Sequence, residues 1–172
     1  SLAIISLSAQ RDVEPATLNW GDEYNEPAGT QIQKIIGIKK DGFFTLRAKL
    51  ASNVKPRVYL EYFDKQMKLK KSNEMDLKYK GKRRDFEDII MLGGDLYLMT
   101  SFNNQSKQRN YLFKQKISSK SLLPGKKLEM VAETEARNKE SEGTFGFNIA
   151  RDSSSLLIYN QLPYKKKDPE RF

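Results

Sequence analysis

The sequence contains no cysteine and no histidine. The first absence removes any disulfide framework and any Cys-based zinc site. The second removes every histidine-ligated metal site. Together they exclude a Ser-His-Asp or Cys-His nucleophile. No apolar run approaches the ~20 residues that a bilayer-spanning helix takes. The lone Gly93-Gly94 pair is not followed by Gly-Lys-Ser/Thr, so no phosphate loop of that type is written here, and no cofactor is called for. The chemistry that remains is carboxylate-pair hydrolysis, oxygen-ligand binding of Ca²⁺ or Mg²⁺, and lysine chemistry.

What is present points to one folded β domain. A length of 172 residues suits a single domain with a real core, and eight Tyr with nine Phe argue against disorder. Thirty-one Lys and Arg stand against 22 Asp and Glu, a net charge of +9. Such a balance attracts nucleic acid, anionic glycans or acidic lipid surfaces. Acidic residues are mixed among the basic ones, which also suits lysines that decorate the solvent edges of strands.

The chain opens on the apolar, small-residue run Ser1-Leu2-Ala3-Ile4-Ile5-Ser6-Leu7-Ser8-Ala9-Gln10 and changes abruptly to Arg11-Asp12-Val13-Glu14-Pro15. Residues 1–10 read as the remnant of a signal peptide, with a first β-strand as the alternative. The expectation that follows is export to the periplasm or surface of a Gram-negative bacterium. Residues 11–31 form a polar lead-in holding Pro15, Pro27 and Gly29. Trp20 and Tyr24 lie in it, and an exposed pair of this kind could contact a ligand by stacking on a sugar or base. The commoner role of such a Trp is to plug onto the neighbouring core.

From residue 32 onward the periodicity is that of strands. Ile36 and Ile38 alternate, Asp41-Gly42 marks a hairpin, and Phe44, Leu46, Ala48 and Leu50 share a face. Val58, Leu60 and Tyr62 form the next face, and Met67 to Leu77 return. The order then repeats through Phe86–Leu92, the Gly93-Gly94-Asp95 turn, Leu96 to Phe102, Tyr111 to Ile117 and Leu128 to Ala132. A third copy starts at Phe145, turns at Asp152 and runs through Leu156, Ile158 and Asn160. The turn aspartates Asp41, Asp95 and Asp152 are spaced by 54 and 57 residues, and Tyr59 and Tyr111 by 52.

This spacing predicts an all-β chain of antiparallel four-stranded sheets repeating about every 55 residues. The architecture expected is a partial β-propeller over residues 32–172, two blades and part of a third, truncated at the C-terminus; the alternative is a β-sandwich or barrel. Repetition has a physical cause, because one four-stranded sheet cannot bury both its faces alone. The units Ile35 to Leu50, Asp85 to Phe102 and Thr144 to Leu162, with strand pieces such as Tyr59-Leu60-Glu61-Tyr62-Phe63-Asp64, resemble exported bacterial proteins with WD- or Kelch-like β-propeller repeats. The resemblance implies a propeller scaffold of the kind commonly used for binding.

Three constellations bear on function. The turn aspartates could line a rim and hold a cation, although Asp is common at turns for backbone reasons. Glu61, Asp64, Glu87 and Asp88 are candidate acids for glycoside hydrolysis. Basic clusters are the clearest surface feature: Lys68, Lys70 and Lys71, then Lys78, Lys80, Lys82, Arg83 and Arg84 around Tyr79, then Lys165, Lys166 and Lys167 beside Tyr164. Basic residues interleaved with aromatics suit a single-stranded nucleic acid, although their commoner role is to solubilise loops between blades. The leading expectation is a non-enzymatic exported module that binds a protein or glycan. A carboxylate-dependent glycan-active enzyme on the same scaffold and a basic β-domain binding nucleic acid are the alternatives. Nucleic acid ranks below the others, because an exported protein seldom meets it.

Overall fold

Alternating side chains and short polar turns dictate the elements. The computed structural model describes residues 23–49, 56–136 and 143–162. The signal-like start 1–10, Trp20 and the lysines 165–167 lie outside the described residues. Strands β1 (Gln31–Lys39), β2 (Gly42–Lys49), β3 (Arg57–Asp64) and β4 (Leu69–Glu74) form an antiparallel meander in chain order. A two-residue-per-strand hairpin follows, β5 (Lys78–Tyr79) and β6 (Lys82–Arg83). The second meander is β7 (Asp85–Leu92), β8 (Asp95–Asn104), β9 (Arg109–Ile117) and β10 (Glu129–Glu135). The last element is the hairpin β11 (Thr144–Ile149) and β12 (Leu156–Gln161). The all-β expectation holds: antiparallel sheets dominate, and among the described residues none closes on itself.

Two apolar seams join three layers. Phe44, Leu46 and Ala48 of β2 and Val58 and Leu60 of β3 form one face of the first sheet, here called its front. It packs on Ile89, Leu96, Leu98 and Ile117, the back of the second sheet. The front of the second sheet carries Ile90, Met99 and Leu112 with Tyr97, Val131 and Ala132, and it packs on Phe145, Phe147, Leu156 and Ile158 of the terminal hairpin. Because a strand sends successive side chains to opposite faces, each middle strand serves both seams.

Cross-strand pairing shows that the stacking has one direction. The pair Ile38↔Phe43 of the first sheet takes the place of Met91↔Leu96 in the second and Ile149↔Leu156 in the third. Ile35↔Thr45 likewise matches Ile89↔Leu98 and Phe147↔Ile158. Equivalent pairs in the second and third layers therefore point toward the preceding layer, and each layer sets its back on its predecessor's front.

The register also corrects the sequence reading in two places. Gly42 and Asp95 both open the second strand of their sheets, so the structural partner of Asp41 is Gly94. The three aspartates are thus not equivalent: Asp95 belongs to a strand and pairs with Lys116 at 2.7 Å, while Asp152 accepts from the Ser154 amide at 3.0 Å in a turn. The second correction concerns β1, which carries register shifts between Ile32 and Lys34 and between Ile35 and Gly37. A bulge inserts one unpaired residue and breaks the alternation. Ile36 therefore reaches the core while Ile38 emerges on the opposite face, 76% exposed.

Gly42 is set by close approach. A Cβ there would lie 2.0 Å from the carbonyl oxygen of Phe63, the residue before its β3 partner Asp64. Gly42→Ala is expected to lose about 1–3 kcal/mol through overpacking, read as a lower urea midpoint with an unchanged slope.

Candidate functional site

The β5–β6 hairpin gathers the predicted basic residues. Lys80 and Gly81 both take positive φ, +49° and +76°, as a tight two-residue turn of the twisted hairpin type requires. The Lys78 amide donates to Asp76 Oδ1 at 2.9 Å, and the Arg84 amide to the Leu77 carbonyl at 2.9 Å, which fixes both ends of the hairpin. Lys78, Lys80, Lys82 and Arg83 are exposed. The segment expected to be a loop is therefore an ordered hairpin with its cations displayed.

Behind it lies an aromatic floor from the second sheet. Phe102 of β8 pairs with Tyr111 of β9, and Phe113 follows on the same face. The Arg84 guanidinium stacks 4.7 Å from the Tyr79 ring centroid and 5.8 Å from that of Phe113. Lys80 Nζ lies 5.6 Å from the Tyr79 centroid, and Lys82 Nζ 5.6 Å from that of Phe102. Attraction between a cation and a ring face orients these side chains. The Tyr79 hydroxyl donates to the Lys126 carbonyl at 3.1 Å, anchoring the ring.

Among the described residues, the exposed cations of this surface form no ion pair with a carboxylate. Lys34, Lys116 and Lys127 each meet a carboxylate at 2.6 to 2.7 Å. Among the described residues, no carboxylate lies within 4 Å of the charged groups of Lys78, Lys80, Lys82, Arg83 or Arg84. Arg84 is only 6% exposed and its buried Nε has no partner among the described residues. Burial pushes its pKa below the ordinary value, partly offset by Tyr79 and Asp76.

Tyr24, the other described candidate, sits elsewhere, on the back of the first sheet. Arg47 and Glu61 are fully buried there, with Arg47 Nε 3.0 Å from Glu61 Oε1. Thr45 and Ser72 donate to the Glu61 carboxylate, each at 3.3 Å. Arg47 Nη2 donates to the Tyr24 hydroxyl and to Glu26 Oε1, the latter at 2.9 Å. The Tyr24 ring also meets the edge of Phe63 at 6.1 Å. Tyr24 thus plugs the fold and does not present a free ring to a sugar. Burial raises its pKa, and the Glu61 charge adds to that. For Arg47, burial opposes the charged form, but hydrogen bonds to Glu26 and Glu61 outweigh it and raise the pKa.

The candidate acids do not gather. Glu61 is sealed by Arg47; Asp64 Oδ1 accepts from the amides of Gln66 and Lys68 at 3.0 and 2.9 Å; and Asp88 pairs with Lys34 at 2.6 Å. Among the described residues, no group of three or more acids is placed to hold a metal ion, and no helix is long and apolar enough to cross a membrane. Sequence reading missed Arg47 and the floor residues Phe102 and Phe113. Arg47 had a signal, since it stands between Leu46 and Ala48 on a strand otherwise rich in apolar residues.

A scan against protein-family models finds no match, and neither a search of curated proteins nor one of solved structures finds a similar protein.

Proposed function

We propose that the chain is a non-enzymatic binding module of β-propeller type, exported to the periplasm or cell surface, and that its β5–β6 hairpin engages an anionic glycan. The carrying observation is the exposed set Lys78, Lys80, Lys82 and Arg83 on one ordered hairpin, with Lys80 over Tyr79 and Lys82 over Phe102 and, among the described residues, no ion pair to a carboxylate. Cations displayed on an ordered hairpin attract a polyanion and orient it. The propeller assignment draws support from the common direction of stacking, in which each layer lays its back on its predecessor's front. Export draws support from the apolar opening of the sequence.

The same geometry favours a glycan over nucleic acid. Sequence-tolerant binding of single strands stacks bases on free aromatic faces. Here the rings of Tyr79, Phe102 and Phe113 carry the protein's own cations. Carboxylate or sulfate groups need only the cations.

Titration calorimetry with a polyuronate and a sulfated polysaccharide tests the reading. Binding should weaken as salt rises, and the triple variant Lys80→Glu, Lys82→Glu, Arg83→Glu should lose roughly tenfold affinity or more. Single-stranded DNA of matched charge should bind less well. Stronger binding to DNA, or glycan binding that the triple variant leaves intact, would sink the proposal.

A further inference from the structure

The β5–β6 hairpin has an outer side and a side turned to the floor. Lys78 pairs with Arg83 and Tyr79 with Lys82, and the Arg84 amide continues the pairing to the Leu77 carbonyl. Successive side chains of a strand take opposite faces. Lys78 and Arg83 therefore point outward, while Lys82 and Arg84 lie over Phe102 and Phe113.

The deeper of these two floor-facing cations has no acceptor. Arg84 is 6% exposed, its buried Nε has no partner, and no carboxylate lies within 4 Å of its charged group among the described residues. Asp76, the acid at the base of the hairpin, accepts from the Lys78 amide. Arg47, the other buried arginine, shows the contrast: it meets Glu61 at 3.0 Å and Glu26 at 2.9 Å. The Tyr79 and Phe113 rings attract the Arg84 guanidinium but accept no conventional hydrogen bond from it in the plane of its fork. A second unanswered donor belongs to the same floor. Thr100, the cross-strand partner of Phe113, is 1% exposed, and its buried hydroxyl has no partner among the described residues. Buried donors left unmade are costly, and a bound acceptor would relieve both.

We infer that a carboxylate seats on Arg84 between the hairpin and the floor, beside Thr100, and that a uronate is therefore the preferred acidic sugar. For the polymer the inference rests on the glycan reading above; the carboxylate seat stands on its own geometry. Arginine's planar fork takes a carboxylate through two parallel hydrogen bonds. Ring centroids lie 4.7 and 5.8 Å from this fork, so a group bound in its plane occupies a narrow slot. A flat carboxylate suits that slot better than a tetrahedral sulfate. Lys82, exposed on the same side of the hairpin, stands at the entry. Arg84 itself is nearly closed off, so the acid enters as the hairpin lifts from the floor. Each hairpin strand has two residues, and an isolated hairpin is marginal in water, which keeps the cost of lifting low.

The Arg84 Nε–H is the reporter, read by nitrogen-15 NMR and assigned by its absence from the spectrum of Arg84→Lys. Its resonance should move and saturate on addition of sodium glucuronate, and methyl sulfate at equal ionic strength should leave it in place. Calorimetry supplies the second arm. Arg84→Lys keeps the charge and loses the fork. It should bind a polyuronate about tenfold more weakly than wild type and a sulfated polysaccharide almost as before. Arg84→Met should lose at least as much polyuronate affinity, and it should fold at least as stably, because it removes a buried unpaired charge. An Nε–H that ignores glucuronate, or answers methyl sulfate equally, overturns the inference even if the hairpin binds glycans. So does wild-type polyuronate affinity in Arg84→Lys. A glucuronate response without binding of either polysaccharide would instead remove the glycan reading and leave the carboxylate seat in place.

Discussion

Glu61→Ala should destabilise the protein by about 3–5 kcal/mol, the usual cost of leaving a buried charge without its partner. Arg47 and Glu61 are both fully buried on the back of the first sheet, and the carboxylate is the acceptor for Arg47 Nε, Thr45 and Ser72. Removing it strands the guanidinium together with two hydroxyls. Glu26 provides partial relief, since it also accepts from Arg47. Its side chain is 56% exposed, however, and water weakens what it can offer. The expected loss therefore falls toward the lower end of the range. Urea unfolding of three proteins separates the contributions: wild type, Glu61→Ala, and the double variant Arg47→Met with Glu61→Leu. The double variant should be more stable than Glu61→Ala, because it removes the buried charge along with its partner. A double variant less stable than the single one would mean that the ion pair itself, and not the stranded charge, dominates the energetics.

The buried pair also marks where sequence reading stops. Strand alternation was legible because Phe44, Leu46 and Ala48, or Leu96 and Leu98, repeat with the period of a pleated strand. The same pattern placed Phe145, Phe147, Leu156 and Ile158 in a third hairpin, and they are the residues that pack on the second sheet. What alternation cannot disclose is a change of phase. The bulges of β1 sent Ile32, Ile35 and Ile38 to one face at a spacing of three, which in the sequence has no strand periodicity. Long-range partners were equally hidden. Arg47 and Glu61 meet because β2 and β3 pair in register, and Arg84 finds Phe113 across a gap of 29 residues. The basic run at residues 78–84 was visible from composition, but its fixed cation positions depend on a turn at Lys80-Gly81 and on a floor drawn from two later strands.

Phe145→Ala should cost about 3–5 kcal/mol as a large aromatic truncation in a core, and the loss should fall on one layer. Phe145 is 5% exposed in the seam with Ile90, Met99 and Leu112. The layer to which it belongs consists of two strands among the described residues, and an isolated two-stranded hairpin is marginal in water. Nearly all its stability must then come from that seam. The meanders differ, since each pairs four strands and they share the larger core of Leu46, Leu60, Leu98 and Ile117. Native-state hydrogen exchange should accordingly show the amides of β11 and β12 exchanging much faster in Phe145→Ala, with those of β8 and β9 little changed. Leu98→Ala, at the other seam, should cost about 2–5 kcal/mol and accelerate exchange in both meanders. If Phe145→Ala instead loosened every strand equally, the three layers would form one cooperative unit, and neither a separable third layer nor a propeller-type stack would describe the chain. If it loosened none, the hairpin would not rest on the second sheet at all. A selective effect leaves the order of layers intact and makes the exposed front of the hairpin, with Leu157 and Tyr159, the next surface in that order.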